Sequence, residues 1–276
     1  MNTANLLVEL FTEELPPKAL KKLGVSFAAA VADSLKSQGL AAADAAVVDF
    51  ATPRRLAVRV ANVAAKAADK PLKTKLMPVS VALDADGQAT QALLKKLAAM
   101  GLGEDAVARL TREGEGKAEA LFIDTVAQGV ALADGLQKAL SEAIAKLPIP
   151  KVMQYQLDDG WTSVNFVRPA HGLVALHGAE IVPVSALGLT ASRSTRGHRF
   201  EAKTAIIELR DADSYEAQLA AEGAVIASFD ERRTEIASQL FNAARQVGGT
   251  PIEDEALLDE VTALVEKPNV LMGQFD

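Results

Sequence analysis

The densest cationic run in the chain reads RSTRGHRF, residues 193–200, with Arg193, Arg196, His198 and Arg199 inside eight positions. A guanidinium offers a planar fork of donors that matches paired oxygens on a phosphate or carboxylate. Gly197, between Arg196 and His198, admits a positive φ or a close backbone approach. The run therefore suits an anionic ligand such as phosphate or RNA. Equally, it suits a surface turn whose arginines pair with a partner subunit or with local carboxylates such as Glu201.

Two further segments carry cations at proline turns. In NFVRPAHG, residues 165–172, Pro169 drives Arg168 into an extended conformation, with His171 three positions on. This reads either as a second polar wall beside the GHRF turn, or as a strand end whose arginine and histidine satisfy buried carbonyls. In TPRRL, residues 52–56, Arg54 and Arg55 are adjacent, and adjacent side chains of an extended segment point opposite ways. The two are not expected to share one phosphate. One of them is expected to be buried and paired, with Glu13 and Glu14 the nearest candidates.

Other chemistry finds little support. His171, His177 and His198 are the only histidines, and none are spaced as a helical zinc pair. There is no GxxxxGK[ST] loop and no GxSxG elbow, and Asp158–Asp159 before Gly160 reads as a solvated turn. The residues show no complete catalytic site and no metal site. The absence of cysteine excludes disulfides and cysteine-ligated metal centres. The first residues lack the basic-then-apolar order of a signal peptide, and no apolar run reaches the ~18 residues of a membrane span. A cytoplasmic protein without membrane contact is expected.

The formal net charge of -7 is unevenly spread. Residues 204–276 hold 5 basic and 15 acidic side chains, whereas residues 1–203 hold 24 and 21. The larger part can face a polyanion without strong repulsion.

The elements that must position these cations are read from periodicity. NLLVELF, residues 5–11, reads as a buried strand ended by TEELPP. Pro17 opens a helix over residues 18–38, with Leu20, Leu23, Phe27, Val31 and Leu35 on one face and Gly39 as cap. AVVDFAT and RLAVRVANV read as strands joined at TPRR. Leu56, Val58 and Val60 point to one side, Ala57, Arg59 and Ala61 to a wetter one. Further strands are expected at 120–128, 162–167, 172–178 and 180–189, with helices at 90–100 and 130–146. After residue 213 the pattern turns helical, at 213–223, 228–246 and 255–266, and NVLMGQF, short and apolar, reads as the start of a strand. Phe200 and Phe241 count among the expected core anchors, with Phe27, Phe50, Phe122, Phe166 and Phe229. The fold class is α+β, with mixed sheets and packed helices. An α+β body over residues 1–203, in one or two subdomains, precedes an acidic, mainly helical portion over residues 204–276.

Taken in order, VELFTEELPPKAL, TPRRLAVRVANV, LPIPKVM, FVRPAHGLVALHG, SALGLTASRSTRGHRF and VEKPNVLMGQF resemble the beta subunit of bacterial heterotetrameric glycyl-tRNA synthetase. The likeness spans nearly the whole chain. Family members are longer, so the resemblance implies an N-terminal fragment. It also implies a division of labour within an assembly of two alpha and two beta subunits. The alpha subunit activates glycine with ATP and Mg, and the beta subunit contributes recognition of tRNA-Gly. No cofactor is expected on this fragment, and no catalytic residue. The fold is expected to resemble the editing-type domain of the phenylalanyl-tRNA synthetase beta subunit. Arg54, Arg55, Arg168, Arg193, Arg196, His198 and Arg199 are the candidates to hold tRNA or the alpha subunit. The rival expectations are a pure assembly module, and a residual aminoacyl-ester hydrolase using His171 or His198. Three stretches depart from the family pattern. Phe11 stands where glycine is usual, Gln154 and Tyr155 replace arginine and tryptophan, and RPAHG replaces RPIRW.

Overall fold

The computed structural model describes residues 2–114 and 119–273. Contacts divide the chain into two compact units, Met1–Ala67 with Val130–Asp276, and Ala68–Gly129. The boundary expected at residues 203/204 lies inside the first unit.

The first unit is built on β1 (Thr3–Thr12), α1 (Pro17–Ser37), β2 (Val47–Thr52) and β3 (Arg55–Ala64). The second unit contains β4 (Lys70–Pro78), α2 (Val79–Ala82), α3 (Gln91–Ala99), a 3-10 turn at Glu104–Arg109, β5 (Leu110–Glu113) and β6 (Ala120–Ala127). The first unit resumes with α4 (Leu132–Lys146), the hairpin β7 (Met153–Gln156) and β8 (Ser163–Phe166), and β9 (Ala170–His177). Five two-residue strands come next: β10 (Glu180–Ile181), β11 (Ser185–Ala186), β12 (Leu189–Thr190), β13 (Ser194–Thr195) and β14 (Ile207–Glu208). The chain then becomes helical in α5 (Tyr215–Gly223), α6 (Phe229–Gln246) and α7 (Glu255–Thr262).

An antiparallel sheet in the order β10-β9-β1-β3-β2 organises the first unit. β1 lies at its centre, with Leu10 opposite Leu56 on one side and Leu173 on the other. Alternation then assigns the faces. Leu6, Val8, Leu10, Leu56, Val58 and Val60 face a core completed by α1 and α4, through Leu23, Phe27, Val31, Leu136 and Leu140. Burial of each such side chain stabilises by about 1.5–3 kcal/mol. All five expected inward positions of α1 are buried. Gly39 closes the helix at φ 74°, a conformation that favours glycine.

The wetter character expected of the other face holds for Arg59 and Ala61, which are partly exposed, but not for Ala57. Leu7 and Ala57 pack beneath Ile207, Leu209, Tyr215, Leu219 and Val225. Residues more than a hundred positions downstream cover the sheet, so Arg55 and Glu9 on that face are interior. The strand expected over 180–189 breaks into short pieces, and α7 stops at Thr262. Residues 269–273 form no strand, and the rest of NVLMGQF lies outside the described residues.

The second unit pairs β4 and β5 with a central β6, all antiparallel. It has its own core of Ala82, Leu93, Leu97, Ala106, Leu121 and Ile123. Thr90 caps α3 by accepting from the Leu93 N–H at 3.4 Å.

Candidate functional site

Five segments meet at one end of the sheet: the exit of β1, the β2–β3 turn, the entry to β9, the RGHRF turn, and the chain after α7. Backbone bonds fix the corner. Thr12 N–H donates to Arg54 O at 2.8 Å, Glu13 N–H to Pro169 O at 2.9 Å, and Leu15 N–H to Pro53 O at 2.6 Å. The RGHRF turn is anchored by His198 N–H donating to Gly223 O at 2.7 Å. Ile226 N–H donates to Glu266 O at 2.9 Å, which joins the segment after α7.

Gly197 is required by close approach. A Cβ there would sit 2.6 Å from Gly223 Cα, where α5 ends, and 2.7 Å from Ala202 Cβ. The His198 imidazole organises the next three residues, since its Nδ1 accepts from Phe200 N–H at 3.3 Å and Glu201 N–H at 3.2 Å. Nδ1 is therefore an acceptor, and the ring holds the turn.

Two clefts open at this corner. The larger, about 660 Å³, is lined by Arg54, Arg168, His198, Arg199, Phe200 and Lys267, with Glu13, Glu14 and Glu266 among its walls. The smaller, about 440 Å³, shares Arg54, Glu13, His198 and Arg199 and adds His171 and Arg196. Glu13 stands between them, 3.0 Å from His171 Nε2 and 3.8 Å from Arg199 Nη2. Both pairs are largely exposed to solvent and individually worth little.

The cations take different parts. Arg54 lies over the Phe11 ring, 4.6 Å from its centroid, and its buried Nε has no hydrogen-bond partner among the described residues. Burial holds its pKa below the usual guanidinium value. Glu266 and Glu13 oppose that shift, and the neighbouring charges of Arg199 and Arg55 add to it. Arg168 is partly engaged, its Nε donating to Glu14 O at 2.9 Å and its Nη1 to Met153 Sδ at 3.2 Å. Tyr155 supports the same segment by accepting from Ala170 N–H at 3.2 Å. Arg196 and Arg199 are exposed. The local pairing expected between the turn's arginines and Glu201 is replaced by Glu201 with Lys267 at 3.1 Å and Arg199 with Glu13.

Two candidates, Arg55 and Arg193, stand away from the clefts' walls. Arg55 is fully buried and cannot meet a partner. Its Nη1 lies 2.9 Å from Glu266 Oε1, its Nε 3.5 Å from Glu9 Oε2, and its Nη2 donates to the Arg196 carbonyl. Burial alone would depress this guanidinium, but Glu266, Glu9 and Tyr215 outweigh it and raise its pKa. The expected partners, Glu13 and Glu14, are not the ones it uses. Arg193 lies outside both clefts and donates to three carbonyls, of Ala179 at 2.8 Å, Leu209 at 3.4 Å and Arg210 at 3.5 Å. It clamps the approach to the turn. Arg54 and Arg55 also do not diverge as expected of strand neighbours. Both guanidiniums sit near Phe11, because Arg54 belongs to the turn and not to β3.

The interior beneath the clefts is a polar network. Thr195 and Tyr215 donate their hydroxyls to Glu9, and Thr52 donates to Glu266 Oε1 at 3.1 Å. Burial, then the Glu9 charge, keeps the Tyr215 phenol well above its ordinary pKa. Arg232 donates to Ala51 O at 2.7 Å and Ile226 O at 2.8 Å, and burial pushes it down to about 10. Sequence reasoning misses Glu9 and Glu266. A carboxylate inside the apolar run LLVELF is the available signal, since buried charges need partners. Phe200, expected in the core, is instead 86% exposed. Phe241 is half exposed. Among the described residues no group of histidines and carboxylates is arranged to hold a metal ion, and no helix is long and apolar enough to cross a membrane.

An antiparallel sheet covered on both faces, with arginines gathered at one corner over a neutralised polar interior, defines an α+β domain with a cleft walled by both arginines and glutamates. The family model described as glycyl-tRNA synthetase beta subunit matches residues 6–276, and the chain belongs to that family. The glycine–tRNA ligase beta subunit of Thiobacillus denitrificans is 67% identical over 276 residues, covering all of this chain and 39% of that protein. That of Leptothrix cholodnii is 68% identical over 276 residues, again 39% of its length. That of Dechloromonas aromatica is 63% identical over 286 residues and is covered to 40%. The chain thus spans about two-fifths of the length of these curated relatives.

Proposed function

We propose that this chain is the N-terminal part of a glycyl-tRNA synthetase beta subunit, and that its cationic corner meets tRNA-Gly while the subunit assembles with an alpha subunit. In this reading the alpha subunit uses ATP and Mg to ligate glycine to tRNA in the cytoplasm, within an assembly of two alpha and two beta subunits. The present chain supplies positioning and binds no cofactor. The observation that carries the reading is the gathering of Arg54, Arg168 and Arg199 around one cleft, in a chain whose relatives bear that subunit's name. Kinship with the editing-type domain of the phenylalanyl-tRNA synthetase beta subunit belongs to the same proposal and rests on the α+β architecture alone. Glycine is the smallest amino acid, so steric exclusion already rejects larger competitors and an editing activity is not called for.

The test is titration of labelled tRNA-Gly across a salt series, with an Arg54→Ala/Arg199→Ala variant alongside. Phosphate contacts release counterions, so affinity should fall steeply with salt, and the variant should show a shallower slope. A flat salt response, or an identical slope in the variant, counts against the reading.

A second reading, assembly with the alpha subunit without RNA contact, is favoured by exposed apolar side chains at α6 and α7. Leu240, Phe241, Ile252 and Leu257 surround a cleft of about 530 Å³. Stable capture of the alpha subunit by this chain in the absence of tRNA, with no RNA binding of its own, would favour it. The hydrolase reading has no such support, because His198 Nδ1 is engaged by the turn and His171 is paired with Glu13.

A further inference from the structure

We propose that the larger cleft is a subsite for one unpaired RNA nucleotide, with the base stacked on Phe200 and its phosphate held by Arg199 and Arg54. The inference rests on the RNA-facing reading of the corner and goes further by naming what part of an RNA enters it.

Phe200 carries the argument. It is 86% exposed, at the rim of a cleft otherwise dominated by charge. An isolated exposed phenylalanine on a loose loop would mean little. This one is held. Its own N–H is bonded to His198 Nδ1, and the His198 ring meets it edge-on with centroids 6.2 Å apart. Ala202 N–H closes the turn onto His198 O at 3.2 Å, and Lys203 N–H donates to Glu222 O at 2.9 Å. The ring is presented on fixed backbone, so little conformational entropy remains to be lost when a second ring stacks on it.

Cations flank the ring on the same cleft. Arg199 precedes it in the chain and has only a long, exposed pair with Glu13 at 3.8 Å. Arg54 brings a buried Nε without a partner, beside the like charge of Arg199. An anion between the two guanidiniums would relieve that repulsion. Protein-binding patches are instead depleted of charge at their centres. An aromatic face beside arginine forks is the arrangement that reads single-stranded nucleic acid. The volume of about 660 Å³ falls in the range of small-ligand sites, and a double helix cannot enter it.

The test is fluorescence anisotropy on the full 276-residue chain, with a labelled single-stranded RNA of about eight nucleotides and a labelled blunt-ended RNA duplex without unpaired nucleotides as the two probes. Wild type, Phe200→Ala, Phe200→Trp and Trp161→Ala are compared, the last removing a 90% exposed aromatic that does not line this cleft. Phe200→Ala should weaken the single strand about tenfold, the loss of one stacked base, and leave the blunt duplex unchanged. Phe200→Trp should retain binding, and Trp161→Ala should alter neither probe. Equal affinity of Phe200→Ala and wild type for the single strand overturns the proposal, as does an equal loss on both probes. Failure to bind the single strand while tRNA-Gly still binds overturns this subsite and leaves the RNA-facing reading in place. Failure to bind any RNA sinks both. Loss of alpha-subunit capture in Phe200→Ala, with RNA binding intact, reassigns the ring to a protein contact.

Discussion

Arg55 Nη1 and Glu266 Oε1 lie 2.9 Å apart in an ion pair whose side chains are 0% and 6% exposed. The pair ties the first residue of β3 to the segment after α7. Removing one member of such a pair leaves an uncompensated buried charge, at a cost of roughly 3–5 kcal/mol. Glu266→Ala should therefore lower the urea midpoint severely. Glu201→Ala, which breaks the half-exposed pair with Lys267 at 3.1 Å, should lower stability by no more than ~1 kcal/mol and barely move the midpoint. Similar losses in the two variants would refute the distinction.

Tyr215 makes a claim about alkaline pH. Its folded pKa lies above the unfolded value, so the native state holds the phenolic proton longer than the unfolded chain does. Its stabilising contribution is complete below about pH 10 and is lost as pH rises through the folded pKa. Arg232, lowered to about 10, acts in the opposite sense above that pH. Comparing wild type with Tyr215→Phe isolates the phenol. The variant should be less stable at neutral pH by about 1–3 kcal/mol, for the lost bond to the Glu9 carboxylate. Its stability should also decline less between pH 10 and 12. Parallel stability curves in urea melts across this range would exclude the role.

Gly197→Ala places a methyl within 2.7 Å of Gly223 and Ala202. Since backbone must move, the cost should be about 1–3 kcal/mol. The displaced turn carries Arg199 and Phe200, so RNA affinity should fall even at temperatures where the variant is fully folded. Wild-type affinity and melting temperature in this variant would show that the close approach is dispensable.

Ala67 N–H donates to Val130 O at 2.9 Å, so the two ends of the Ala68–Gly129 unit leave the first unit side by side. Excising that unit and joining the ends through two glycines should leave the rest cooperative, with a circular dichroism melt close to that of the intact chain. Collapse of the remainder into an unfolded or aggregated chain would contradict the independence of the two cores.

Sequence periodicity reaches what is local. The apolar positions of α1, the β2–β3 hairpin around TPRR and the helices after residue 213 can be read from spacing alone. It does not reach β4, whose Lys70, Leu72 and Lys73 are exposed and show no alternating apolar face. Nor can the burial of Ala57 on the otherwise wetter face of β3 be read, because its cover comes from residues 207–227. The cations are legible as a set, but their roles are not. Arg54 and Arg55 are chain neighbours with the same chemistry, and partners supplied by β1 and the segment after α7 take one inside. Phe200 looks like core because apolar residues usually are; only the turn held by His198 directs it outward.

The bond from Arg55 Nη2 to the Arg196 carbonyl joins the interior network to the wall of the clefts. The RGHRF turn is thus continuous with the groups that hold β1, β3 and the chain after α7 together. Whatever stiffens that turn from outside also lowers the free energy of the native state, by RT ln(1 + [L]/Kd) for a ligand that ignores the unfolded chain. Occupancy of the corner should be readable as heat resistance of the whole first unit, without any label on the ligand.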